Sequence, residues 1–179
     1  SVFSEEVDSG NPAAVCILEE DDFNNTIFLQ KIAKKINLSE VSFVKKKENN
    51  FFIRWFSPIQ EVDICGHGTI ASFKILTSMK YCKLNEWVEI KSNKYNFNLK
   101  QDFSSNIVRL QLPIFPLKDI SINEFLNVMD LDLIKQASSS DLDYIVEVKS
   151  LYQLKTININ FSVLSSLNKR GLIVTYADI

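Results

Sequence analysis

Apolar residues in this chain fall mostly into short blocks with strand-like spacing, interrupted by two stretches with helical spacing. Residues 13–18 form a continuous apolar run after the turn-forming Ser9-Gly10-Asn11-Pro12, which predicts a buried strand. Asn25 or Thr26 then caps a helix reaching about Ile36, with Ile27, Phe28, Ile32, Ala33 and Ile36 on one face. Residues 40–44 and 51–56 read as strands joined by a polar turn over 45–50. Residues 69–79 read as a second helix, apolar nearly all round with one charge, Lys74; such a helix is expected to be enclosed by other elements. Short strands follow at 88–91, 95–100 and 107–112, the middle one alternating cleanly.

Pro113 and Pro116 close this series and mark a boundary. Beyond it the pattern predicts a helix at 123–128, a strand at 144–148, a helix at 162–167 capped by Gly171, and a strand at 172–176. Residues 1–113 thus offer several strands around one apolar helix. Residues 114–179 begin something similar and stop early. The order of elements is that of an α+β fold rather than an alternating doubly wound one.

Composition narrows the class. The chain is 46% hydrophobic with thirteen phenylalanines, enough for a packed core. The net charge is -2, so Lys34-Lys35 and Lys45-Lys46-Lys47 read as solvated surface and no nucleic-acid partner is expected. No apolar run reaches the ~18 residues that span a bilayer, and the first residues lack the pattern of a signal peptide. Three cysteines, 16, 65 and 82, make neither a disulfide framework nor a zinc-ligand spacing; no metal is expected, and reduced thiols point to the cytoplasm. The chain lacks an initiating methionine and stops after a strand-like run, from which we expect a longer natural protein.

The candidate chemistry centres on the single histidine. His67 lies in Cys65-Gly66-His67-Gly68, and two of only four glycines bracket it just before the apolar helix. Glycines there allow a tight turn and close approach to the backbone, and the N–H groups of a helix start favour an anion. Gly66, His67 and Gly68 are therefore a candidate cradle for a carboxylate, and His67 can move protons near neutral pH. Asn11 and Pro12 shape a turn, with substrate contact by Asn11 a secondary reading. Glu61 and Asp63 share one strand face and are read as structural.

Four stretches taken together resemble the phenazine-biosynthesis PhzF-like family of the diaminopimelate epimerase-like fold. They are residues 10–15 (GNPAAV), 37–43 (NLSEVSF), 54–58 with Glu61-Val62-Asp63, and 65–69 (CGHGT). Residues 143–146 and 170–175 resemble the start of that family's second half. The resemblance implies two similar domains, each a curved sheet around a central helix, with residues 1–113 as the first and 114–179 as a truncated start of the second. It places the active site in the cleft between domains and the 69–79 helix at the centre of the first. Glu40 matches the catalytic acid/base, and Gly66 and His67 match residues lining the site. The implied activity is cofactor-independent isomerisation, a proton moved within a small carboxylate-bearing substrate; a homodimer is compatible with it. The family's second glycine-rich loop, opened by Asp-Pro, has no counterpart, since no Asp-Pro dipeptide occurs here. Two alternatives stay open: a non-catalytic binding protein that keeps the fold, and a racemase or epimerase using Cys65 as base. Cys65 itself reads as a buried small residue.

Overall fold

A computed structural model describes residues 1–4, 6, 9–105 and 107–178. The chain is an α+β protein whose contacts divide it into two compact units, Ser1–Pro113 and Ile114–Ile179. No helix among the described residues is long and apolar enough to cross a membrane.

The first unit runs β1 (Ala14–Leu18), α1 (Glu20–Asn24), α2 (Thr26–Ile36), β2 (Val41–Lys47), β3 (Asn50–Phe56), β4 (Glu61–Val62), α3 (Gly66–Ser78), β5 (Val88–Lys91), β6 (Asn96–Gln101) and β7 (Val108–Gln111). Its seven strands form one sheet in the order β1-β2-β3-β5-β6-β7, with β4 paired to β3. Strands β1 and β2 are parallel, as the intervening helices require, while β2 and β3 form an antiparallel hairpin from Val41↔Phe56 to Lys47↔Asn50.

The two helices α2 and α3 explain why β2 and β3 read as nearly unbroken apolar runs. On one face Val44, Ile53 and Trp55 pack with Phe73 and Leu76 of α3 and with Ile90, Phe97 and Leu99. On the other, Val41, Phe43 and Phe56 pack with Leu29 and Ala33 of α2. Strands covered on both faces lose the polar alternation of a half-exposed sheet. Trp55 and Phe97 meet edge to face at 5.4 Å, worth about 1 kcal/mol beyond their buried area. Among the described residues the sheet does not close on itself. Its end strands β1 and β7 leave an open groove of about 1330 Å³ whose walls include Val15, Ile70, Lys74, Ile75 and Val108.

Several expectations need correcting. Lys45 is not solvated: it is 8% exposed, pairs with Glu20 at 3.1 Å and lies over the rings of Phe23 and Phe52. The polar turn is correspondingly short, because the hairpin absorbs the lysine run and only Glu48 and Asn49 remain, Glu48 with φ of 54°. Of the expected face of α2, Phe28, Ile32 and Ala33 do pack inward, but Ile27 and Ile36 are exposed and Leu29 is buried in their place, so the apolar stripe is turned slightly about the helix axis. Helix α3 is only partly enclosed, with Ile75 and Met79 over 40% exposed.

The second unit contains β8 (Lys118–Asp119), β9 (Ile134–Ser139), β10 (Asp143–Val148), α4 (Leu151–Thr156), α5 (Phe161–Leu164) and β11 (Gly171–Thr175), in a sheet ordered β11-β10-β9-β8. Phe125, Tyr144, Val146 and Val148 form its core. Residues 122–125 are one 3-10 turn rather than the expected helix. Strand β9 and helix α4 go beyond the sequence pattern: the outward Lys135 and Gln136 of β9 mask its apolar side, and one turn and a half of helix is too short for a periodic signal. Gly171 opens β11 and pairs with Asp143, so it is not a helix cap.

Candidate functional site

Three backbone events bring the candidate residues together. Helix α2 ends at Asn37, whose left-handed backbone (φ 56°) and N–H bond to the Ala33 carbonyl form a C-cap. Glu40 follows three residues later, at the entrance to β2. From β4 the chain runs extended into Cys65, the N-cap of α3, and turns directly into helix. Gly66 is the first helical residue, three positions earlier than the sequence pattern indicated, so Cys65-Gly66-His67-Gly68 is the opening turn of α3 and not a loop before it.

The opening turn faces the start of β2. Glu40 Oε2 lies 3.7 Å from His67 Nε2, and Cys65 Sγ lies 3.5 Å from His67 Nδ1. The imidazole thus stands between a carboxylate and a thiol. One donor atom from each of the three residues falls within 4.8 Å of the others. No spacing along the chain announced this grouping, because Glu40 comes from a different element. His67 and Glu40 are mostly buried, with side chains 12% and 27% exposed, and Cys65 is buried. His67 Nε2 is itself shielded from solvent and has no hydrogen-bond partner among the described residues.

The N–H groups of Gly66, His67 and Gly68 precede the first intrahelical bond, from Thr69 N to the Cys65 carbonyl at 3.1 Å. No side chain caps them, and the first turn contains no acidic residue. These are the conditions under which a helix start attracts an anion. The two glycines serve different ends. A Cβ on Gly66 would meet nothing within 4 Å, so that side of the turn is open. A Cβ on Gly68 would sit 2.4 Å from Ser42 Oγ, 3.0 Å from Cys65 Sγ and 3.2 Å from Trp55 Cδ1. The missing side chain at 68 is thus a packing requirement of α3 against β2 and β3.

Ser42 and Trp55 escape a reading of the sequence alone. They are register partners on β2 and β3, both buried, and Ser42 Oγ and Trp55 Nε1 lack hydrogen-bond partners among the described residues. Ser42 lies two residues from Glu40, the spacing that puts strand side chains on one face. That alternation was the available signal. Cys65, expected to be an inert small residue, is buried and also touches the imidazole.

Asn11 stands apart. Two backbone hydrogen bonds of 2.9 Å link it to Val2, and no hydrogen bond among the described residues ties it to Glu40, Cys65 or His67. Gly10 beside it has φ of 79° and would carry a Cβ 2.3 Å from the Val2 carbonyl, so the turn itself dictates this glycine. Glu61 and Asp63 have structural partners, Arg54 at 2.7 Å and Lys94 at 2.6 Å. Burial pushes the Cys16 and Cys82 thiols up, Cys82 to about 11.

The family model described as "Phenazine biosynthesis-like protein" matches residues 1–179. An uncharacterized isomerase of Halalkalibacterium halodurans is 31% identical over 180 residues, covering 97% of this chain and 64% of that protein. A phenazine biosynthesis-like domain-containing protein of Bos taurus is 34% identical over 174 residues, covering 88% of this chain and 56% of that protein. The crystal structure of a phenazine biosynthesis protein, PhzF family, from Enterococcus faecalis superposes with a TM-score of 0.69 at 29% identity, covering 96% of this chain and 64% of that one. The chain therefore spans less than two thirds of the length of these relatives.

Proposed function

From the premise that this chain belongs to the phenazine biosynthesis-like (PhzC-PhzF) family, we propose that it acts as an isomerase that moves a proton within a small carboxylate-bearing substrate. Glu40 is the acid/base. His67 is its partner, able to hydrogen-bond the substrate or to take up the displaced proton. The open N–H groups of Gly66 and His67 receive the substrate carboxylate.

The observation that carries this reading is the 3.7 Å approach of Glu40 to His67 at an uncapped helix start. A carbon acid adjacent to a carboxylate needs a base within reach of its proton and positive potential for the charge that develops on abstraction. Here the base reaches the helix start from the entrance to β2, 3.7 Å from His67. The mechanism that follows is short. The carboxylate of the substrate docks on the amides, Glu40 removes a proton from carbon, and the protonated Glu40 or His67 returns it elsewhere on the same molecule. No atoms are gained or lost. The isomerase name of the Halalkalibacterium halodurans relative supports the reaction class.

Glu40→Gln tests the assignment. Gln keeps the shape but cannot exchange a proton, so turnover on a true substrate is expected to fall by at least ~10²-fold with the melting temperature unchanged. The substrate is sought by NMR, as deuterium incorporation from D₂O into a panel of linear and cyclic carboxylates. Parent-like exchange by Glu40→Gln would refute the role. A thiol-based racemase reading has a weaker footing: the group contains one thiol, and neither Cys16 nor Cys82 joins it.

A further inference from the structure

We propose that Glu40, Cys65 and His67 form a binding site for a thiophilic divalent cation, of which Zn²⁺ is the type. The three offer one carboxylate oxygen, one thiolate sulfur and one imidazole nitrogen, the mixed donor set that zinc accepts. Carboxylate-only clusters bind hard cations or none; sulfur and imidazole together shift the choice toward zinc, cobalt and cadmium.

The geometry is close to what a cation demands. With bonds of roughly 2.0–2.3 Å, a zinc tetrahedron has edges of ~3.5 Å. His67 Nε2 and Glu40 Oε2, one such edge, are already 3.7 Å apart. A cation takes only one ring nitrogen, and the three donors lie within 4.8 Å of one another. The remaining closure of about 1 Å lies on the edges to the Cys65 sulfur and falls to turns of the Cys65 and Glu40 side chains, Glu40 the more exposed. The first turn of α3 sets the backbone from which Cys65 and His67 project, while Glu40 approaches from the start of β2.

Two further observations point to a ligand. His67 Nε2 is shielded from solvent and unsatisfied among the described residues, a state that costs free energy unless something completes it. A Cβ on Gly66 would meet nothing within 4 Å, so the turn that carries two of the donors is open on that side. Three protein donors also leave a fourth position free for water or a substrate carboxylate.

Resting on the isomerase reading, one consequence concerns activity: a cation on Glu40 and His67 occupies the groups that carry the proton, so it inhibits. Binding and inhibition are tested separately. Co²⁺, the spectroscopic stand-in, is titrated into the purified protein. One equivalent is expected to produce a near-ultraviolet thiolate-to-cobalt charge-transfer band that Zn²⁺ abolishes. Cys65→Ser is expected to remove the band, and His67→Asn and Glu40→Gln to weaken binding by ~10- to 100-fold or more. Cys16→Ser and Cys82→Ser leave it unchanged. Absence of the band, or a band that survives Cys65→Ser, overturns the proposal. Should Cys65→Ser fail to fold, His67→Asn decides, since it keeps the thiol and a tight band would then refute the site. Binding needs no substrate: if the band forms but no carboxylate is ever turned over, the isomerase reading fails while the cation site stands. Where turnover is found, Zn²⁺ should suppress it and a chelator restore it.

Discussion

Adding one methyl group at position 68 is the sharpest physical test of how α3 meets the sheet. In Gly68→Ala the new Cβ would stand 2.4 Å from Ser42 Oγ, 3.0 Å from Cys65 Sγ and 3.2 Å from Trp55 Cδ1. Ser42 and Trp55 are each no more than 1% exposed, so neither has free space to retreat into. Overpacking of this kind costs about 1–3 kcal/mol, while exchanging Gly for Ala inside a helix returns about 0.5–1 kcal/mol. The net is a loss of about 1–2 kcal/mol. For a unit near 110 residues that lowers the melting temperature by roughly 4–8 °C. Ser42→Ala supplies the control. Its hydroxyl has no hydrogen-bond partner among the described residues, so removing it alone is nearly neutral. The double variant loses the 2.4 Å contact and should recover about 1 kcal/mol relative to Gly68→Ala. The assay is thermal unfolding by circular dichroism, with urea midpoints as a second measure. A Gly68→Ala protein that melts at or above the parent, or a double variant no better than the single one, refutes the argument that packing dictates this glycine.

Two further outcomes rest on other parts of the same unit. Arg54 donates to Glu61 at 2.7 and 2.8 Å, to the Phe23 carbonyl at 2.8 Å and to Thr26 Oγ1 at 2.8 Å, so Arg54→Met should cost about 2–3 kcal/mol of stability, read as a lower urea midpoint with an unchanged m-value; a parent-like midpoint would show the network to be dispensable. With burial holding the Cys82 thiol neutral up to about 11, against an ordinary value near 8.5, its contribution to stability is complete below ~8.5 and is lost as pH rises toward 11, because the unfolded thiol ionises first. At pH 8 native Cys82 should therefore react with iodoacetamide far more slowly than in urea, and equal labelling rates by mass spectrometry would contradict this.

The strands of the first unit are legible because their burial leaves a plain apolar signature: residues 51–56 and 88–91 lie where the pattern puts them. The start of α3 is displaced from its expected position because Gly66 and Gly68 look like loop residues, whereas Gly68 is helical for a reason that lies on two other strands. Lys45 misleads because a lysine carries no mark of the carboxylate and the two rings that await it. In the second unit Ile134–Ser139 shows too few apolar positions to register as a strand. His67 and Glu40 can be named from the sequence, the second only through the family resemblance. Their 3.7 Å separation cannot, and neither can the part of Ser42 and Trp55 in walling the same turn. Such contacts join residues from separate elements, and local periodicity carries no information about them.

The unclosed sheet of the first unit bears on how the chain behaves in concentrated solution. Its two end strands are not equally protected. Strand β7 carries Arg109, whose charge disfavours docking of another chain, whereas β1 reads Ala-Val-Cys-Ile-Leu without a single charge or proline. An uncharged, β-branched terminal strand is the template on which foreign strands add, and charge or proline at such an edge is what normally prevents it. Of the two ends of the sheet, residues 14–18 are therefore the better template for an added strand.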